Sequence, residues 1–169
     1  LKSLVAIGNW NDGLTVQTNG AVSVLQSEMG QNGGYGVHIT ASGKVTIAGS
    51  SSKNNVYMYY NANGIWIDSP GAISLSYLGL YDGYGTYGIH LDNPDSLSNV
   101  TLTYVRGGGG TDTGILIRTR GTVLLTNCYW DGAGIGVSID NHSLLKRPVT
   151  VNGLTLYWIG NTALDVLSS

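Results

Sequence analysis

Asp68, Asp92 and Asp140 share one local context. Each ends a short run in which glycine is followed by alternating apolar residues: GIWID at 64–68, GIHLD at 88–92 and GVSID at 136–140. Arg118 holds the equivalent position of GILIR at 114–118, and Trp66 and His90 stand two residues before Asp68 and Asp92. Carboxylates can ligate Ca²⁺ or serve as general acid and base. An arginine can neutralise an acidic sugar, and an indole can stack on a sugar ring. This is the chemistry of a polysaccharide groove, provided that something brings residues so far apart in sequence onto one surface.

What can do so is a repeat. The unit starts at Gly13, Gly36, Gly64, Gly88, Gly114 and Gly136, and in degraded form at Ala163, at intervals of 22 to 28 residues. Apolar residues alternate within it at period 2, which marks a strand with one buried face. The inward pairs read Leu14/Val16, Val37/Ile39, Ile65/Ile67, Ile89/Leu91, Ile115/Ile117, Val137/Ile139 and Leu164/Val166. A second strand is expected after each: AVSVL, KVTIA, AISLS, NVTLT, TVLLT and GLTLY, the last with Leu154 and Leu156 inward. Three residues on, Leu78, Val105, Cys128 and Ile159 extend the core, so Cys128 reads as a small buried hydrophobe. Loops such as GLYDGYGTY and RGGGGTDT are expected to return the chain to the next unit.

Strands of this length with no helical stretch between them make one coil per repeat, equivalent strands stacking in parallel about 4.8 Å apart. Residues 99–140, NVTLTYVRGGGGTDTGILIRTRGTVLLTNCYWDGAGIGVSID, resemble two consecutive repeats of the right-handed parallel β-helix proteins found on bacterial surfaces and in secretions. The resemblance extends over residues 13–169. It implies an all-β fold: a right-handed single-stranded parallel β-helix, or β-solenoid, of about six or seven coils. It implies one domain over residues 1–169 and an extracellular or cell-surface location. The family includes pectin and alginate lyases, polygalacturonases, phage tailspikes, adhesins and structural segments, so it names no single activity.

In such a coil the outward columns carry function. The third position of each first strand reads Thr15, His38, Trp66, His90, Leu116, Ser138, Asp165, and the fifth reads Gln17, Thr40, Asp68, Asp92, Arg118, Asp140, Leu167. Trp66, Asp68, His90, Asp92, Arg118 and Asp140 then form one ladder, to which the neighbouring loops add Arg120 and His142. The ladder also reads as a solvated sheet face in which Arg118 relieves repulsion between Asp92 and Asp140. The second strands present Ser23, Thr46, Ser74, Thr101, Leu124 and Thr155 outward, an array similar to the ice-binding face of some antifreeze solenoids. Tyrosines and tryptophans cluster after the second strands, where they serve equally as core cover or as a contact surface.

The composition limits partners. There are 26 Gly, 11 Tyr and 4 Trp but no Phe, and charged residues make up 11% of the chain. A net charge of −2 without a basic run beyond Lys146-Arg147 argues against nucleic acid. No apolar stretch approaches the roughly 20 residues that a spanning helix needs, so no membrane insertion is expected. GGGG at 107–110 lacks the lysine and helix of a phosphate loop. No His/Cys spacing suggests a metal, no cofactor is expected, and nothing in the pattern singles out a Ca²⁺ site.

The chain opens on Leu1 and is read as a processed protein or as a segment of a longer one. LVAIGN at 4–9 reads as a second strand without its first, matching LYWIGN at 156–161, and ALDVLSS at 163–169 as a first strand without its second. These half-coils complement each other and carry no cap. Leu4, Ile7, Leu164 and Val166 are therefore the expected contacts of head-to-tail self-association into a filament, or of continuation into a longer β-helix. The favoured function is a non-enzymatic structural or adhesive module. A polysaccharide-binding or polysaccharide-cleaving β-helix is the second reading and an ice-binding solenoid the third.

Overall fold

The computed structural model describes residues 1–50, 56–83, 85–141 and 147–168. The described residues form strands, turns and bends with no helix, and every strand pair is parallel. The chain winds as a β-solenoid of about six turns. Among the described residues no helix is long and apolar enough to cross a membrane.

The first face follows the repeat rung by rung. Leu14, Val37, Ile65, Ile89, Ile115, Val137 and Leu164 align in one column, and Val16, Ile39, Ile67, Leu91, Ile117, Ile139 and Val166 in another. From Val37 to Ile139 these side chains are fully or almost fully buried. A slip of one residue would turn every one of them to solvent, so the alternation itself holds the register.

The second face stacks Val22–Leu25, Val45–Ala48, residues 73–76, residues 100–103, Val123–Thr126 and Val149–Asn152. The last of these departs from the sequence reading, which placed GLTLY there. Val123 pairs with Val149 and Leu125 with Val151, so the strand just after Pro148 completes this face. Both segments alternate at period 2, and only the pairing distinguishes them.

A third face replaces the expected return loops. Val5–Ile7, Glu28–Gly30, Val56–Tyr59, residues 78–81, residues 105–108, residues 129–131 and Thr155–Tyr157 stack on it. LVAIGN and GLTLY therefore belong here and not to the second face. Cys128 continues in register toward Leu154, because Thr155 N donates to Cys128 O, so Ile159 lies outside that column.

Both corners of this third face turn on one residue of positive φ. Ser3, Gln26, Tyr77, Tyr104, Asn127 and Gly153 hold the corner before it. Gly8, Gln31, Tyr60, Asp82, Gly109, Gly132 and Trp158 hold the corner after it. A single left-handed residue bends the strand without interrupting the parallel ladder.

Two internal devices fix the coils. The indole of Trp130, 1% exposed, lies where Gly88, Gly107 and Gly114 have no side chain. A Cβ on Gly114 would stand 2.6 Å from Trp130 Nε1, and one on Gly107 2.6 Å from Cε3. The GGGG run is thus strand backbone, and Gly107 within it clears room for a tryptophan. In addition, Asn9, Asn32 and Asn61 form a ladder. Asn61 Oδ1 accepts from Asn32 N (3.1 Å) and Nδ2 (2.8 Å), and Asn32 Oδ1 accepts from Asn9 N (3.1 Å) and Nδ2 (2.8 Å).

At the first and last coils the apolar columns are open. Leu164 and Val166 are exposed and Leu4 is half-buried, whereas Ile7, expected as an end contact of the core, stands in the outward column with Gly30 and Tyr59, because alternation turns Ala6 of that strand inward.

Candidate functional site

The expected ladder exists in register: Thr40, Asp68, Asp92, Arg118, Asp140 and Leu167 follow one another up the first face. Trp66 and His90 occupy the adjacent column, as the alternation requires. Arg120 stands at the following corner, its Nη2 4.0 Å from Asp95 Oδ1, both exposed. His142 lies outside the described residues.

The structure adds residues that sequence spacing did not single out. His38 and Trp66 stack at 4.6 Å with ring planes 5° apart, and Trp66 and His90 stack at 5.9 Å, also at 5°. Tyr35 tilts against His38 and Trp66, and Tyr87 against His90. Asp12 anchors the lower end, with Oδ2 3.2 Å from His38 Nδ1 and Oδ1 accepting from Tyr35 N at 2.8 Å. Tyr35 and Tyr87 sit one residue before Gly36 and Gly88. That placement puts their rings beside the third-position column, and it was the available signal.

His90 is 8% exposed. Burial pulls its imidazole below the usual histidine range, and Arg118 adds to this while Asp92 and Asp68 oppose it. His90 Nε2 is 3.9 Å from Asp92 Oδ2, an ion-pair distance but too long for a hydrogen bond. Trp66 Nε1, His90 Nε2 and Asp92 Oδ1 are buried and have no hydrogen-bond partner. Three such atoms on neighbouring positions can satisfy the hydroxyls of a ligand, after modest side-chain movement.

Concavity lies at the corners. Asp68, Pro70, Asn93, Pro94, Asp95 and Ser96 line one shallow hollow of about 190 Å³. Pro94, Asp95, Arg118, Thr119, Arg120 and Asp140 line a second of about 190 Å³ beside it. Among the described residues no three His, Cys, Asp or Glu side chains converge as metal ligands.

The third face carries the other candidate surface. Its outward side chains include Tyr57, Tyr59, Tyr81, Arg106, Tyr129 and Tyr157, while Trp130 points inward as core. The clustered aromatics thus divide between contact surface and core cover. Tyr77 and Tyr104 stack at 5.2 Å and 10° although both hold positive φ. An open cleft of about 600 Å³ lies on this side of the coil, lined by Tyr81, Arg106, Asn127, Cys128, Tyr129, Gly153 and Thr155. The alternation Tyr57-Met58-Tyr59 was a legible sign of a strand here.

Set against protein-family models, curated proteins and solved structures, the chain finds no match in any of the three.

Proposed function

We propose that this chain is a non-enzymatic β-solenoid module, extracellular or at the cell surface, with a structural and adhesive role. The observation that carries the reading is the spread of outward aromatic side chains along a rigid, continuously paired body. Tyr57, Tyr81 and Tyr157 are exposed on rungs of the third face, and Tyr104 at the corner that leads into it. Aromatic residues on rigid backbone lose little entropy when they bind, which is why contact surfaces use them. Assembly into a rod belongs to the same proposal: a further coil, from a second copy or from the same chain, would cover Leu4 and Ala6 at one end and Leu164 and Val166 at the other. The test is binding of the immobilised chain to a panel of extracellular polysaccharides and cell-surface proteins, with electron microscopy of the chain at high concentration. Retention of at least one panel member supports adhesion, and silence across the panel overturns it.

A second reading, saccharide binding or cleavage on the first face, is favoured by the unpartnered Trp66 Nε1, His90 Nε2 and Asp92 Oδ1. New ultraviolet absorbance from an acidic polysaccharide, lost in Asp92→Asn, would establish cleavage.

A further inference from the structure

Tyr77 and Tyr104 stand opposite each other on adjacent rungs, at the corner between the second and third faces. Ser76 pairs with Thr103 before them and Leu78 with Val105 after them. Their rings stack with centroids 5.2 Å apart and planes 10° apart. Among the described residues the other tyrosine–tyrosine ring contacts are longer and more inclined: Tyr59–Tyr60 at 6.0 Å and 83°, and Tyr129–Tyr157 at 6.3 Å and 32°. Tyr104 is 39% exposed and Tyr77 half-buried, so the pair is open to small molecules from solution.

Backbone preference does not explain this pair. Both residues hold left-handed backbone, φ 54° for Tyr77 and 53° for Tyr104, a conformation that disfavours bulky side chains and suits Asn or Gly. The next two rungs place Asn127 and Gly153 at this corner. Strain kept at two consecutive rungs points to a use for the rings themselves. Near-parallel phenols at this distance, on backbone locked by the strand ladder, are placed for oxidative coupling.

We propose that Tyr77 and Tyr104 form a dityrosine site, a covalent staple between two coils. The co-reactant is a one-electron oxidant of the peroxidase type with hydrogen peroxide. Each phenol gives up one proton and one electron and becomes a phenoxyl radical. The radicals join through one carbon ortho to each oxygen. The hydrogen on each of those carbons then shifts to the oxygen, which restores both rings as phenols. In sum one C–C bond replaces two C–H bonds, and one peroxide is reduced to two waters. The ladder replaces a bimolecular encounter with a fixed neighbour, which favours this pair over coupling between chains. The rings must tip edge to edge, a rotation that exposed side chains make readily. The inference does not depend on the adhesive reading.

Treatment of the folded chain with a haem peroxidase and hydrogen peroxide tests it. The expected product is a monomer lighter by two hydrogens, with dityrosine fluorescence and a cross-linked peptide joining Tyr77 to Tyr104 in tandem mass spectra. Tyr104→Phe keeps the ring and the corner but removes the phenol, so it should lower the dityrosine of the monomer at least about tenfold. Tyr157→Phe should leave the yield unchanged. The coupled chain should unfold at higher urea than the untreated one, because the staple closes a loop in the unfolded state. Dityrosine found only between chains, a cross-link that maps to other tyrosines, an equal yield in Tyr104→Phe, or recovery of both tyrosines unmodified would each overturn the site. A coupled chain with an unchanged urea midpoint would overturn its role as a staple.

Discussion

The indole of Trp130 occupies the space that a side chain at Gly88 would need, although the two residues lie more than forty positions apart and on different rungs. Atoms Cζ2 and Cη2 of the ring sit against the glycine, and Gly107 and Gly114 close the same slot. Gly88→Ala is therefore expected to destabilise by about 1–3 kcal/mol through overpacking. Trp130→Ala should cost about 3–5 kcal/mol through the cavity it leaves. Urea unfolding followed by circular dichroism checks both, and an unchanged midpoint for Gly88→Ala would show that the slot is loose.

The asparagine ladder makes a separate claim. Asn61→Ala removes the acceptor of Asn32 N and Nδ2 and the donor to Met29 O, in a buried corner. Leaving such groups unpaired should cost at least about 2 kcal/mol. The same denaturation series measures it, with exposed Asn99→Ala as the near-neutral control.

Tyr104 sits at φ 53°, where a left-handed backbone costs a residue with a side chain about 1–2 kcal/mol. Tyr104→Asn relieves part of that and forfeits the stack on Tyr77, worth about 0.5–1.5 kcal/mol, so the two should nearly cancel. Tyr104→Val, β-branched, should be clearly destabilising. A Val variant as stable as the Asn variant would mean that the corner does not depend on the left-handed backbone.

His90 sets a pH dependence. Its folded pKa lies below the unfolded value because burial disfavours the imidazolium, so the unfolded chain binds more protons between the two values. Its contribution to stability is complete above the unfolded pKa of about 6.5 and falls away as pH drops from there toward the folded pKa. Thermal midpoints at pH 7.5 and pH 5 should differ by less in His90→Gln than in the parent chain. An equal difference in both would remove His90 as the source.

Cys128 is 2% exposed, and burial pushes its thiol pKa up. It should stay unreactive toward a disulfide reagent in native buffer and react at the rate of unfolding in urea. Fast native labelling would mean that the wall of the third-face cleft opens.

How far these features could be read in advance follows from their range along the chain. The strands of the first face and the five earlier strands of the second were legible because alternation at period 2 is local, and burial then enforces it on every rung. The ladder Asp68, Asp92, Arg118, Asp140 followed from the same alignment, so its residues were known before its geometry. The aromatic stack of His38, Trp66 and His90 was not, because ring orientation depends on Tyr35 and Tyr87 packing beside it.

The amino-acid sequence alone determined that this chain coils, which residues point inward on the first face, and which polar residues share its outward column. Tertiary structure decided the rest: that the expected return loops are a third sheet face, and that Val149–Asn152, not GLTLY, completes the second. It also decided that Gly30, Gly88 and Gly107 seat rings from other rungs. The physical reason is the reach of each interaction. Alternation is written into neighbouring residues, whereas strand pairing, ring seating and left-handed corners are settled between residues of different coils, or between a ring and a glycine that no local pattern connects.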